Sequence, residues 1–145
     1  MRLQTRRLRE EGGSMVIETV ILAPAFMLFV ALIFMAGRMT IAQQSVEAAA
    51  NDAARSASIE RTHGEAQAAA TSSASTTLSN QDLDCVSTNV SVDTGAFSVE
   101  VGTAGQVEAT VSCEVPLSDL ALPGVPGSRT VTATVRSPID TYRER

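Results

Sequence analysis

The sequence contains no tryptophan and no lysine, and only 3% of its residues are aromatic. So few aromatic side chains argue against a stacking platform for single-stranded nucleic acid. Because lysine is absent, arginine carries all of the permanent positive side-chain charge. Residues 38–145 carry 13 acidic residues against 7 arginines, and this excess argues against binding through phosphate contacts. No nucleic-acid partner is predicted.

Residues that could support catalysis are equally scarce. His63 is the single histidine and lies beside Gly64 in a predicted turn, where an exposed turn residue is the better interpretation than a ligand or a base. Asp82 and Asp84 are interpreted as parts of a solvated loop rather than a calcium site. No metal-ligand cluster, phosphate-binding glycine loop or Ser/His/Asp set can be assembled. The sequence predicts no enzyme, no metal and no cofactor, which leaves a membrane-anchored enzyme as the weakest hypothesis.

A long apolar run occupies residues 15–37, and a membrane-spanning helix needs about 20 such residues. We therefore predict a transmembrane helix over residues 14–37, with membrane lipid as its surroundings. Its single charge is Glu18. Basic flanks stay in the cytoplasm, and four arginines precede the run: Arg2, Arg6, Arg7 and Arg9. The prediction is a single pass through the cytoplasmic (inner) membrane, with the N-terminus inside and the residues beyond Arg38 outside.

Residues 1–13 have the character of a targeting segment that ends at Gly12-Gly13. If a peptidase cleaves after Gly13, Ser14 acquires a positive α-amine and Glu18 becomes the fifth residue. Glu18 could then neutralise that amine in its own chain or in a neighbouring subunit. The alternative is that Glu18 snorkels to the membrane interface. A conventional signal peptide, cleaved near Thr40-Ile41-Ala42 to release a small binding domain, is the competing interpretation of the whole segment.

Residues 38–80 show helical periodicity. One long helix is predicted over residues 14–61, with Pro24 inside it as a point for a kink. Beyond Arg38 a stripe of small apolar residues recurs at helical spacing: Ala42, Val46, Ala49, Ala50, Ala53 and Ala57. Gly64 could end this helix, and Thr62 with Glu65 forms a capping-box pattern for a second helix over about 65–77. A flexible tract open to glycosylation is the alternative for residues 65–80.

Residues 81–145 are predicted to form an outer β domain, because from Cys85 onward the pattern changes to a period of two, which is typical of half-buried strands. Four strands are predicted, over residues 86–92, 97–101, 107–115 and 130–136. Residues 93–96 and 102–105 provide short glycine-containing connections, and residues 116–128 a longer link with a loop at 123–127. The predicted fold class is α+β, with a four-stranded antiparallel sheet packed on the alanine-rich helix. Another subunit is the alternative partner for that helix.

The two cysteines, Cys85 and Cys113, both lie in the predicted outer part. An even cysteine count in an oxidising compartment favours a disulfide. Such a bond would stabilise the fold by about 3 kcal/mol in the chain-entropy model. Two reduced, buried cysteines are the alternative.

The first 60 residues carry a more specific likeness. A glycine before the cleavage point, a glutamate five residues after it and a long apolar helix resemble the class III leader of type IV pilins and pseudopilins. Residues 12–24 and 42–55 resemble the TadE family of Flp/Tad pilus assembly proteins, and the strand region does so loosely. The resemblance implies a minor pilin-like subunit that supports fibre assembly and adhesion. Gly13 then matches the prepilin peptidase site, Ser14 the mature N-terminus and Glu18 the fifth-position glutamate. Implied partners are prepilin peptidase, other pilin-like subunits and the Tad assembly platform.

Overall fold

The computed structural model of the chain describes residues 7–100, 102–120 and 126–140. Helix α1 spans Arg7–Ile59 and helix α2 spans His63–Asn80. Strand β1 (Ser87–Asp93), strand β2 (Gln106–Pro116), the short helix α3 (Leu117–Leu120) and strand β3 (Ser128–Pro138) follow. The predicted α+β class is confirmed. The described part of the chain divides into two units, residues 1–37 and 38–145.

The first unit is the N-terminal part of α1. Its helix begins at Arg7, so the described part of the predicted leader is helical. Arginine, leucine and glutamate are good helix formers, which explains the early start. The apolar side chains from Val16 onward are exposed to a degree rarely seen in a water-soluble unit, reaching 70% for Phe34. Pro24 lies within the helix; the kink expected there stays a prediction.

The second unit has a core made largely of alanine. Every residue of the predicted stripe on α1 is buried, and α2 adds residues at a spacing of four: Ala66, Ala70, Ala74 and Leu78. These side chains share one apolar cluster with the inner face of the sheet, where Val107, Ala109, Val111, Cys113 and Val115 alternate along β2. Small side chains let the backbones approach closely, although each buries little area. The predicted packing of the sheet against the alanine-rich helix is observed.

Helix α2 begins as its capping pattern predicts. The Thr62 hydroxyl accepts a hydrogen bond from the Glu65 backbone N–H, and it donates one to the Glu65 carboxylate. Three of its hydroxyls donate to backbone carbonyls one turn earlier, Thr71 to Gln67 and both Ser75 and Thr76 to Ser72, while Thr77 donates to the Asp52 carboxylate of α1. The helical interpretation of residues 65–80 is thus the one observed. The expected role of Gly64 is wrong, because α1 ends at Ile59 and Gly64 lies inside α2.

The sheet has three strands in the order β1-β2-β3, all antiparallel. Its register pairs Val90 with Val111 and Val111 with Ala133, so β2 is central and the two other strands form the edges. The predicted link 116–128 contains α3. Its loop at 123–127 lies outside the described residues except for Pro126 and Gly127. Gly127 has a φ of +133°, and a Cβ there would come within 2.9 Å of Leu117.

The fourth predicted strand, residues 97–101, is wrong. The described part of this segment, 97–100, includes the end of a single 3-10 turn, Gly95–Ser98, and Val101 lies outside the described residues. Local hydrogen bonds hold the turn. The Asp93 carboxylate accepts from the Gly95 N–H at 2.9 Å, and the Phe97 N–H donates to the Thr94 carbonyl at 2.8 Å. Because β1 pairs directly with β2, residues 94–105 form one connection between them. The alternating pattern that predicted a strand covers only five residues, and the local turn hydrogen bonds determine the structure there instead.

Candidate processing site and assembly helix

The three residues singled out near the N-terminus all lie on helix α1. Ser14 and Glu18 are four residues apart, which places them on one face of the helix about one turn from each other. Gly13 directly precedes them in the same helix. The pairing between a Ser14 amine and the Glu18 carboxylate stays a prediction. Cleavage between Gly13 and Ser14 is not tested by the geometry and stays a prediction.

The surroundings of Glu18 are apolar. Val16, Ile17, Val20 and Ile21 flank it and are all more than 60% exposed. This part of α1 belongs to a helix long and apolar enough to cross a membrane. A carboxylate at membrane depth costs several kcal/mol or more unless it is paired or reaches water. The position of Glu18 in the helix is therefore the feature that needs a functional reason.

The second predicted pair, Cys85 and Cys113, forms a disulfide with a Cα–Cα distance of 5.4 Å. Cys113 is completely buried on the inner face of β2, while Cys85 is half-buried just before β1 begins. The bond therefore anchors the end of the α2–β1 connection to the central strand. The described residues contain no free cysteine.

Among the other titratable residues that the structure describes, Arg136 donates to the Glu108 carboxylate across strands β2 and β3, at 2.5 Å. His63 is the first residue of α2, and its Nδ1 lies 2.7 Å from the Thr94 hydroxyl. Asp82 and Asp84 are exposed in the α2–β1 connection, and Asp82 adopts a positive φ of 51°. Across the described ranges, no three residues among His, Cys, Asp and Glu gather where they could hold a metal ion. The structure brings together no set of residues for acid–base or nucleophilic chemistry in the part of the chain that it describes.

Two polar contacts of the sheet were not anticipated from the sequence. Gln67 on α2 bonds to the outer edge of β1: its side-chain amide donates to the Val90 carbonyl at 2.7 Å and accepts from the Val92 N–H at 3.1 Å. Glu114, on the outer face of β2, accepts from the hydroxyls of Ser87 and Ser128. These two bonds, Ser128 first, lower the pKa of Glu114. Nothing in the spacing of Gln67 or Glu114 distinguishes them from ordinary surface residues.

Comparison with known proteins supports the N-terminal assignment. No curated protein and no solved structure matches the chain. A family model does match residues 13–55, under the description "TadE-like protein". The match begins at Gly13, includes Ser14, Glu18 and the apolar run, and ends within the alanine stripe of α1. The match agrees, over residues 13–55, with the resemblance to the TadE family expected from the sequence.

Proposed function

We propose that the protein is a minor pilin-like subunit of a Flp/Tad pilus or of its assembly apparatus. In this proposal prepilin peptidase removes residues 1–13, and the mature chain supports fibre assembly and adhesion through contacts with other pilin-like subunits and the Tad assembly platform. The observation that carries it is the position of Glu18. It is one helical turn from Ser14, inside an exposed apolar helix whose family match begins at Gly13.

The chemistry of maturation gives Glu18 its role. Cleavage of the Gly13–Ser14 peptide bond makes Ser14 the first residue of the helix and gives it a positive α-amine. The first N–H groups of a helix lack intrahelical acceptors, and the N-terminal end carries a partial positive charge. A carboxylate one turn along the helix stabilises both the amine and the helix end.

The same pairing can act between subunits. A free amine and a carboxylate that enter an apolar bundle must pair, because removing one member of a buried ion pair typically costs about 3–5 kcal/mol. When two neighbouring helices slide along each other, only one relative position along their axes brings the Ser14 amine of one helix to the Glu18 carboxylate of the other. The pair would therefore set the register of assembly, while the exposed apolar side chains from Val16 to Phe34 provide the contact area.

The proposed topology places residues 38–145 outside the cytoplasm. The arginines at positions 2, 6, 7 and 9 precede the apolar run, and basic flanks remain on the cytoplasmic side. The Cys85–Cys113 disulfide agrees with an oxidising compartment for the second unit. The proposed domains are accordingly a leader (1–13), a membrane helix (14–37), outer helices (38–80) and an outer β domain (81–145).

The test is the identity of the first residue of the mature protein, determined by N-terminal sequencing or mass spectrometry in cells with and without prepilin peptidase. We expect a Ser14 start that depends on the peptidase. Gly13→Ala should leave the chain uncleaved, whereas the matched substitution Gly12→Ala should still give a Ser14 start. A chain that begins near Gln43 would instead support a conventional signal peptide, and normal maturation of Gly13→Ala would refute the proposal.

A second measurement separates maturation from assembly. Glu18→Gln keeps the shape of the side chain and removes its charge, so the variant should mature normally but support fewer fibres. The matched control is Glu11→Gln, since that residue leaves with the leader. Unchanged fibre numbers in Glu18→Gln would show that the carboxylate has no role in assembly.

A further inference from the structure

The two edges of the sheet differ in how their backbone groups are satisfied. At the β1 edge, the Gln67 side chain bonds to the outward carbonyl of Val90 and the outward N–H of Val92, as a neighbouring strand would. At the β3 edge, the described residues offer no comparable partner. An open strand edge is a template for pairing with another strand, so the β3 edge is the candidate interaction surface.

The outward groups of β3 follow from the hydrogen bonds at its two ends. The Leu117 N–H donates to the Gly127 carbonyl at 2.9 Å, and the Ile139 N–H donates to the Gly105 carbonyl at 3.0 Å. Because hydrogen-bonded and non-hydrogen-bonded pairs alternate in an antiparallel ladder, the odd-numbered residues of β3 bond to β2. The even-numbered residues direct their backbone groups away from the sheet: Ser128, Thr130, Thr132, Thr134 and Arg136.

We propose that a second copy of this chain pairs with the β3 edge, antiparallel strand to strand, with Thr132 opposite Thr132. Pro138 has no N–H and therefore ends the run of outward donors after Arg136. Gly127, with its positive φ, ends the strand at the other side. The run from Ser128 to Arg136 is centred on Thr132, so a two-fold axis at this residue uses every outward donor of β3 and every outward acceptor except the Pro138 carbonyl. This proposal does not depend on the proposed function.

The side chains of the outer face suit this register. Thr130 lies opposite Thr134 of the second copy, and cross-strand hydroxyl pairs of this kind stabilise sheets. The same contact already occurs inside the chain, where the hydroxyls of Thr110 and Thr134 lie 2.9 Å apart. Arg136 lies opposite Ser128 of the second copy, so the two Arg136 side chains are at opposite ends of the paired strands and do not repel each other.

The charges on the helix-facing side are also complementary. A groove of about 480 Å³ runs along the β3 edge, lined by Glu47 and Asn51 of α1, by Val135, and from the outer face by Glu108, Thr134 and Arg136. Arg136 pairs with Glu108 there, which leaves Glu47 as the acidic group on the helix-facing side of the groove. In the proposed register the residue opposite Val135 is Arg129 of the second copy, which is odd-numbered and so faces the same side as Val135. Glu47 and Arg129 are both exposed in the single chain. The two-fold axis brings each Arg129 to the groove that contains the other chain's Glu47.

The partly exposed apolar residues at this edge agree with the same partner. Ala133 and Val135 point towards the core but are only half-buried, unlike Val131 on the same strand. A second β3 would cover them with its own Val131 and the stem of its Arg129. The doubled sheet would keep its hydroxyl-rich face continuous on one side and its helices on the other.

The first test is disulfide trapping in the full-length protein in membranes. Cα atoms of directly opposed residues in a hydrogen-bonded pair are about 5.5 Å apart, within the range that a disulfide bridges. Thr132→Cys should therefore give a covalent dimer on mild oxidation. Thr130→Cys alone should not, but should cross-link when mixed with Thr134→Cys. Ser91→Cys, on the same face but on the closed β1 edge, is the matched control. Equal cross-linking of Thr132→Cys and Ser91→Cys would overturn the proposal.

The second test is charge reversal. Arg129→Glu should weaken self-association by about tenfold, because the two exposed ion pairs of the dimer become repulsive. Glu47→Arg should have a similar effect, and the double variant should restore association. Sedimentation or light scattering of the full-length protein in detergent gives the oligomeric state, and circular dichroism confirms that each variant folds. If both single variants dissociate and the double variant does not regain self-association, the assigned register is refuted.

A third variant addresses the backbone directly. Thr132→Pro removes an outward N–H that makes no bond to β2, so an edge strand tolerates it in the single chain, while pairing with the second copy should be lost. Unchanged association of this variant would exclude strand pairing as the cause of any dimer observed. It would instead point to the apolar part of α1.

Discussion

Replacing Gln67 by alanine should open the β1 edge without dismantling the sheet. The variant loses two hydrogen bonds to the strand edge, to the Val90 carbonyl and from the Val92 N–H, and a longer one of 3.3 Å to the Thr71 hydroxyl within α2. Each such bond contributes about 0.5–1.5 kcal/mol net to stability. The higher helix propensity of alanine offsets a few tenths of a kcal/mol of the loss. Because Gln67 is only half-buried and water can partly replace the bonds, we expect a loss of about 1–2 kcal/mol. Native-state hydrogen exchange measures the effect locally, at the Val92 amide.

The expected exchange pattern is specific. A loss of 1.4 kcal/mol in local opening accelerates exchange of the Val92 amide about tenfold, whereas amides in the β2–β3 ladder should change little. Gln44→Ala, an exposed glutamine on α1, controls for helix propensity. Gln67→Glu offers a sharper comparison: its carboxylate can accept from Val92 but cannot donate to Val90. That mismatch raises the pKa of the new carboxyl, so the deficit should shrink as the pH falls and the group becomes protonated. Unchanged Val92 exchange in Gln67→Ala would refute the view that this side chain closes the edge.

Three further outcomes follow from the core and the sheet. Reducing the Cys85–Cys113 bond should lower the free energy of unfolding by about 3 kcal/mol, measured by chemical denaturation with and without reductant. Ala53→Leu, at a completely buried position on α1, should cost about 1–3 kcal/mol through overpacking, whereas Ala68→Leu on the exposed side of α2 should be nearly neutral in the same assay. The hydroxyls of Ser128 and Ser87 hold the pKa of Glu114 below its ordinary value of 4.5. The stabilisation from this carboxylate is therefore present above pH 4.5 and is lost as the pH falls through the lower, folded-state pKa. Glu114→Gln should therefore reduce the loss of stability on acidification. An unchanged loss of stability at acid pH would show that other carboxylates cause it.

The helices could be predicted from the sequence because their signals are long and redundant. The stripe from Ala42 to Ala57 repeats over four helical turns, and Thr62 with Glu65 marks the start of α2 with a specific contact. The strands β1, β2 and β3 alternate over enough residues for the period to be clear. The segment 97–101 alternates over only five, and the Asp93 side chain, which bonds to Gly95, decides its structure instead. A contact within a single turn produces no periodic pattern of apolar residues from which it could be predicted.

In the candidate site, too, residues close in sequence could be predicted, whereas residues that act through distant partners could not. Gly13, Ser14 and Glu18 are close in sequence, so their spacing on a helix follows directly from the period of the helix. Gln67 and Glu114 act through partners 14–27 residues away. Their roles depend on the strand order and register, which decide that Val90 and Val92 lie at an edge and that Ser87 and Ser128 flank Glu114. Sequence spacing alone carries no information about such pairings.

The position of the disulfide has a mechanical consequence. Cys85 and Cys113, separated by 28 positions, enclose β1 and its connection to β2 but exclude β3. Tension applied between the N-terminal helix and the end of β3 would pass through the sulfur atoms and bypass residues 86–112. Strand β1 would therefore carry no load, and β3 would be the only strand that force could detach while the disulfide stays intact. The covalent loop thus divides the sheet into a protected hairpin and one strand held by hydrogen bonds and packing alone.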